Sequence, residues 1–562
     1  MKKLLIAAFL LILNVSLYSQ SHKDTQVLQS GHWIYSDLYT LSTEAQKSYF
    51  IDSQPLTIGE LKFYFSEIEY DSLSQSGKTL YNKIQSFFDK EEDFVKDPTL
   101  RFFVNPKFNA ELFYKSNPQI PYSFDYAIKD RAFTAPFIFG FSNYITIETD
   151  PYIGKNYGSS KAHENFTNIP YSFDHMDAHL PEFAYGATGF ATDNWGVNFH
   201  MAKDGLTIGD TILGSIIYNK TFDTDFYAQL NFYTRLLKYS CDVIQVTTNK
   251  YIYLHQMNVR PLKNLKVGFM EGTLLNAPFE LRFLNPLYVM HSFIGWKDYN
   301  LTDLEWKYYN EGHFGAYLCF NAEYMPLPNL RIYGYFSQNE LLDPGWENSE
   351  KDLSYPDSFG LQFGTEYIFG FADGSRLKNT LEASYTSPYL YVKQSPDWSF
   401  WNKQREEISG AKICSWMGSP FGPDCFAVEY KASFESIQNF TISASYLFKI
   451  HGENNFSMFK TKKIENKAGE AETIYIYYPY AEYQDATTDE GRKAAVKKSR
   501  NMWMTGIKEY TNQFCISATY NVSEKFNIYS QGLFTFIYNN NNISNNFQSG
   551  FEIGLGCEYK IF

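Results

Sequence analysis

No stretch of this chain reaches the roughly 18 consecutive apolar residues that a membrane-crossing helix needs, so no such helix is expected. Six cysteines in 562 residues are too few for a disulfide-built scaffold, and their spacings do not suggest a zinc site. None of the ten histidines falls in a spacing that singles out a serine nucleophile with a base and an orienting partner. Glycine-rich phosphate loops are absent. Basic residues are outnumbered, 49 Lys and Arg against 62 Asp and Glu for a net charge of -13, which argues against nucleic acid as a partner. Neither an enzyme nor a cofactor is expected.

Aromatic rings are abundant instead. The chain has 46 Tyr, 50 Phe and 9 Trp, 19% of its residues, at a mean hydropathy of only -0.36. A transmembrane β-barrel uses such rings in the girdles where its wall meets the two membrane interfaces. The last segment fits this reading. Phe551, Ile553, Leu555, Cys557, Tyr559 and Ile561 alternate with Glu552, Gly554, Gly556, Glu558 and Lys560 before the terminal Phe562. A period of two with one apolar and one polar face suits a strand between lipid and a polar lumen. A final strand of this kind resembles the signal read by the barrel-insertion machinery, which is expected as a partner together with outer-membrane lipid.

At the other end Met1-Lys2-Lys3 and the apolar run Leu4 to Leu17 read as a signal peptide, residues 1–19, with Ser19 before the cleavage point. Residues 20–98 read as a small α-helical periplasmic domain. Trp33 to Phe50 has helical spacing, Thr57-Ile58-Gly59-Glu60 is a capping box, and Ser74 to Lys90 carries Leu80, Ile84 and Phe88 on one stripe. An N-terminal plug inside the barrel is the alternative reading of this segment. Residues 99–562 read as the outer-membrane β-barrel, with period-two stretches such as Phe440 to Ile450. At about 25 residues per strand with its share of loop, they allow about 18 antiparallel strands, with 16–20 possible. Arg260-Pro261-Leu262-Lys263-Asn264-Leu265 and Met325-Pro326-Leu327-Pro328-Asn329-Leu330 repeat as short turns, since proline marks a strand exit. Long loops are expected over Gln338 to Ser358, Gln394 to Asp424 and His451 to Met504.

Three groups of residues could carry function. His175, Asp177 and His179 are the densest polar cluster, but a solvated loop accounts for them and no metal is expected. Cys414 and Cys425 flank a run of turn residues and could close a loop disulfide or remain two thiols. Trp398, Trp401, Trp416 and the run Tyr475 to Tyr480 could stack on sugar rings, or could serve as girdle or loop packing.

Three further stretches carry a family likeness: Tyr35 to Leu41 with Pro55 to Leu61, Lys250 to Tyr288 with His291, and Asn321 to Phe336. They resemble the capsule-assembly Wzi family of outer-membrane barrels. The resemblance implies an 18-stranded barrel preceded by a helical domain, acting as a lectin that holds capsular polysaccharide at the cell surface. It points to Glu271, Glu280, Arg282, Asn285 and His291 as candidate ligand-binding groups. Gly205 to Gly214 departs from the Arg- and Trp-rich stretch expected there. The expected protein is therefore a monomeric, non-catalytic binder of surface polysaccharide; the alternative is a porin or transporter for small solutes or lipids.

Overall fold

The structure, a computed structural model, describes residues 23–90, 100–117, 120, 131–155, 166–170, 172, 176–179, 183–222, 226–286, 288–290, 314–340, 358–393, 396–405, 412–465, 469, 471–476, 488–500 and 503–561. The expected signal peptide, His175, His291, Tyr477 to Tyr480 and Phe562 lie outside these residues, as do the side chains of Asp177 and His179.

Antiparallel strands from Leu100 onward close on themselves as a barrel of 22 hydrogen-bonded segments. Four pairs of consecutive segments are halves of one strand: Leu100–Val104 with Lys107–Lys115, Phe133–Thr134 with Phe137–Phe141, Ile145–Thr149 with Tyr152–Lys155, and Met176–His179 with Ala184–Ala191. Each gap contains a proline (Pro106, Pro136, Pro151, Pro181), which cannot donate to a ladder. Pairing resumes in the same register beyond the first two gaps, as Leu100↔Phe141 followed by Lys107↔Thr134 shows. With each pair of halves counted once, the described residues form a wall of 18 strands.

The period of two sorts every strand between lipid and lumen. On the last strand, Gln548–Lys560, Ile553 and Leu555 are 43% and 53% exposed on the outer face, while Glu552 is fully buried on the inner one. Tyr324, Tyr367, Tyr520 and Tyr559, all exposed, lie close to one end of their strands, where an interfacial girdle belongs. The two repeated proline turns are two-residue hairpins, Leu262↔Leu265 and Leu327↔Leu330, each preceded by a register shift at its proline. Asn329 takes φ 66° there, a conformation that asparagine tolerates. Tight turns of this kind occupy one end of the barrel; the long connections 204–225, 276–313, 387–424 and 452–508 leave from the other.

Ahead of the wall the described residues form three α-helices, α1 (Trp33–Glu44), α2 (Ile58–Phe65) and α3 (Gln75–Asp89). They share a core that includes Ile34, Leu38, Leu61, Leu80 and Ile84. The first helix stops earlier than its spacing predicts. Ser42 and Thr43 turn their hydroxyls back to the Tyr39 carbonyl, and Gln46 at φ 50° ends the run. Only half of the capping box forms. Thr57 Oγ1 accepts from the Glu60 amide at 3.3 Å, a cap worth about 1 kcal/mol. The Glu60 carboxylate turns away from the cap to Lys238 Nζ at 2.6 Å and Asn198 Nδ2 at 2.9 Å, both on the barrel wall.

These helices are therefore not a detached unit. They close the short-turn end and reach wall residues of lumen parity. Thr25 meets Thr146, Asp37 meets Arg376, Asp52 meets Lys266 and Glu67 meets Arg260. Buried charges demand partners, and the barrel interior supplies them.

Candidate functional site

Segments of the chain enter the lumen from both ends. Residues 204–222 leave the strand Trp195–Lys203 at the long-loop end and turn inward across the barrel. Amides of Ile212 and Leu213 donate to the Glu382 carboxylate at 3.0 Å each. Ile216 N donates to Gln362 Oε1 at 3.1 Å. The hydroxyls of Tyr317 and Tyr391 donate to the Ile216 carbonyl at 2.8 and 2.6 Å. Every backbone group that the loop carries into the interior needs such a partner. Gly214, at φ +86°, lets the chain turn against Pro420 and Asn219 where a Cβ has no room.

The descending loop meets the ascending N-terminal segment inside the barrel. Thr207 and Ile208 pair with Gln54 and Ser53 as a short antiparallel ladder, and Gly209 N donates to Asp52 O at 2.8 Å. Around this junction lies a buried charge network. Arg331, 1% exposed, holds Glu323 at 2.9 Å and Asp210 at 2.8 Å. Lys266 holds Asp52 at 2.9 Å and Glu323 at 3.7 Å, and Ser48 adds a short hydrogen bond to Glu323. Wall, N-terminal segment and loop thus share one set of ions. Asp204, where the loop begins, accepts from Ser30 N and Gly205 N, and burial raises its carboxyl to about 6.

The residues singled out from the sequence gather at one stretch of rim but on two faces of it. Outside the wall, residues 276–286 and 288–290 fold back over outward-facing positions of the strands Lys250–Leu262 and Leu265–Leu275. Phe283 and Met290 pack there with Tyr253, Leu275 and Phe314. Glu271 is buried under this flap, accepting from Met290 N at 3.2 Å and lying 3.7 Å from His255 Nδ1. His255 Nε2 meets the Phe283 carbonyl at 2.9 Å. Glu280 and Arg282 pair at 3.2 Å with a third of each side chain exposed. Asn285 is exposed, its backbone turning the flap between Arg282 and Tyr288. Phe279, 49% exposed, sits edge-on to Tyr251.

Inside the same rim the tryptophans form a cap. Trp398, Trp401 and Trp416 are 2%, 8% and 4% exposed. Trp416 stacks on Phe456 at 4.6 Å, and Trp401 stacks on Phe456 and Phe459 at 5.2 and 5.6 Å. Lys250 Nζ donates to the carbonyls of Pro396 and Trp401, fastening the cap to the wall. These indoles fill the mouth and pack against one another, so open sugar platforms are not what they form. Cys414, on the hairpin of Trp401–Arg405 and Lys412–Trp416, and Cys425, at the head of the wall strand Cys425–Glu435, are not joined, so the candidate loop disulfide is not formed. Among the described residues no cluster of three His, Cys, Asp or Glu could hold a metal.

Sequence reasoning missed Arg331, Glu323, Lys266, Asp210 and Lys238. Their signal was present: the first three are charges at lumen parity beside the two repeated turns.

A closed, tyrosine-girdled barrel of antiparallel strands with a polar interior is an outer-membrane β-barrel. No family model matches the sequence, and no curated protein does. Among solved structures the chain is similar to Wzi, an outer-membrane protein involved in group 1 capsule assembly in Escherichia coli and a carbohydrate-binding β-barrel. The TM-score is 0.54 at 11% identity, over 94% of this chain and 98% of that one. OprD of Pseudomonas aeruginosa follows with a TM-score of 0.38 at 9% identity, over 84% of this chain and 98% of that one. OmpT of Vibrio cholerae gives 0.32 at 8%, over 84% of this chain and 100% of that one. At such identities the likeness is one of fold.

Proposed function

We propose that this protein is a non-catalytic, monomeric outer-membrane barrel that binds surface or capsular polysaccharide and helps attach or assemble it at the cell surface. The short turns and N-terminal helices face the periplasm, and the long connections face outward. The observation that carries this reading is the meeting of two chain segments inside the lumen. A solute pathway needs an open constriction, whereas here two segments of the chain meet in the interior and share buried ions. The fold likeness to a carbohydrate-binding barrel supports the same reading. On the rim, Phe279 beside the Glu280–Arg282 pair combines an exposed ring with charged hydrogen-bonding groups. That combination suits a sugar's apolar face and its hydroxyls.

The test compares cell-attached with shed polysaccharide in the source bacterium, with and without the gene. Deletion should move polysaccharide into the medium at unchanged total synthesis, and Phe279→Ala with Arg282→Ala should do so in part. Unchanged attachment, together with steady conductance of the purified protein in planar bilayers, would overturn the reading in favour of a pore.

A further inference from the structure

The outer wall carries a trough that ordinary strand alternation does not require. On adjacent strands, Ala322 pairs with Gly334, Gly334 with Phe363, and Phe363 with Ala383. The next row toward the long-loop end is Phe320, Phe336, Leu361 and Tyr385, paired in the same ladders. Beneath the bulky row the small Ala322, Gly334 and Ala383, with the 58% exposed ring of Phe363 between the last two, line an apolar groove of about 720 Å³ on the membrane-facing surface. Gly334 is its floor: a Cβ there would make only ordinary contacts, 3.6 Å or longer. The small residue is therefore not required by packing within the wall.

The head of the groove has a lid of different chemistry. Trp503, 53% exposed, lies outside the barrel and stacks on Tyr385 at 5.4 Å and 4°. Its carbonyl accepts from the Tyr385 hydroxyl at 3.2 Å, and Phe426 lies 5.8 Å from its ring. Tyr385 and Phe426 both line the groove. Three residues before Trp503 ends the helix Asp489–Arg500, started by Thr488, whose hydroxyl accepts from Gly491 N. Chain reach alone keeps the helix end within about 11 Å of Trp503. Lys493, Lys497 and Lys498 are exposed on it. In a chain of net charge -13, residues 489–508 hold six basic residues against two acidic ones.

We propose that this groove and helix form a site for one phosphorylated membrane lipid. An acyl chain lies over Ala322 and Gly334 against the Phe363 ring, Trp503 marks the headgroup level, and the helix lysines hold the phosphate. Juxtamembrane lysines are attracted to anionic headgroups, and an indole belongs at the boundary between tails and heads. The inference rests on the outer-membrane location alone and is independent of polysaccharide binding.

Full-length protein in phosphatidylcholine nanodiscs tests it. A minor fraction of lipid with brominated chains is added, either phosphatidylglycerol or phosphatidylcholine. Subtracting the emission of Trp503→Phe isolates the Trp503 signal. Brominated phosphatidylglycerol should half-quench Trp503 at a membrane fraction at least about fivefold lower than brominated phosphatidylcholine, the worth of one lysine at an anionic surface. Changing Lys493, Lys497 and Lys498 together to Glu should abolish that preference. Gly334→Leu fills the trough, leaves the lysines in place and should weaken quenching by phosphatidylglycerol; it keeps the test open if the triple variant fails to show folded-barrel mobility on gels. Equal quenching by both lipids, or a preference that survives the lysine changes, would overturn the proposal.

Discussion

Arg331→Met should release the lumen-crossing loop without opening the barrel. In the native protein this guanidinium joins Glu323 on the wall to Asp210 on the loop. It also lies 4.2 and 4.3 Å from the rings of Tyr39 and Tyr333. Removing one partner from a buried ion pair costs about 3–5 kcal/mol, because the other charge stays behind. Two features favour the low end. Glu323 keeps Lys266 at 3.7 Å, and the Asp210 side chain, already 31% exposed, can be rehydrated once the loop lifts. Methionine retains much of the packing against the tyrosines. A cost of about 3 kcal/mol on the docked state, at about 1.4 kcal/mol per tenfold, is roughly a 100-fold rise in the undocked population. Hydrogen exchange of the peptide spanning Thr207 to Tyr218 reads that population, since the amides of Ile212, Leu213 and Ile216 are held only while the loop is docked. The purified barrel should keep its heat-modifiable gel mobility while these amides exchange about 100-fold faster. Unchanged exchange in a folded Arg331→Met barrel would refute the reasoning, leaving the tyrosine and Glu382 contacts as what holds the loop.

Three further perturbations have expected outcomes. Lys238→Met leaves the Glu60 carboxylate buried beside Asn198 alone, at about 3–5 kcal/mol on docking of α2; limited proteolysis should cut residues 23–90 faster, and adding Glu60→Leu should restore much of the resistance. Asp204 is raised by burial from 3.8 to about 6, so the docked loop holds this proton more tightly than the released one. Its contribution is therefore complete below about pH 4 and is lost as pH rises through 6, by at most about 3 kcal/mol. Exchange of the peptide around Asp204, corrected for intrinsic rates, should rise between pH 5 and 7.5 in the native protein, and Asp204→Asn should flatten that dependence. Gly364→Ala puts a methyl group into the Tyr333 ring and should draw the hydroxyl off Glu382, which it meets at 2.5 Å. The cost is about 1–3 kcal/mol, seen as faster exchange at Ile212 and Leu213; Tyr333→Ala in the same chain should relieve the clash.

The strands were legible because their information is local. Alternation along Gln548–Lys560 assigns Ile553 and Leu555 to lipid and Glu552 to the lumen with no knowledge of neighbours. The helices of the N-terminal segment were legible for the same reason, their ends set by Thr57 and Ser74 as side-chain caps. The proline turns at Lys263-Asn264 and Pro328-Asn329 likewise follow from residues within the turn. The candidate site was far less legible. Glu271 lies at outward parity and would face lipid but for a flap that packs over it. The indoles of Trp398, Trp401 and Trp416 have the composition of a binding platform, and their burial against Phe456 and Phe459 depends on another loop's position.

The amino-acid sequence by itself determined a wall of antiparallel strands sorted between lipid and lumen, and helices ahead of it. Each of these follows from spacing along the chain and from where an apolar side chain can sit. Only the tertiary structure decided which segments meet inside the lumen. Glu60 gives up its cap for Lys238, 178 positions away, and Arg331 finds Asp210 across 121 positions. A charge without a partner is costly to bury, but its identity alone does not say which distant charge will meet it. That choice is made when the wall closes and brings the N-terminal segment and the descending loop into one low-dielectric interior.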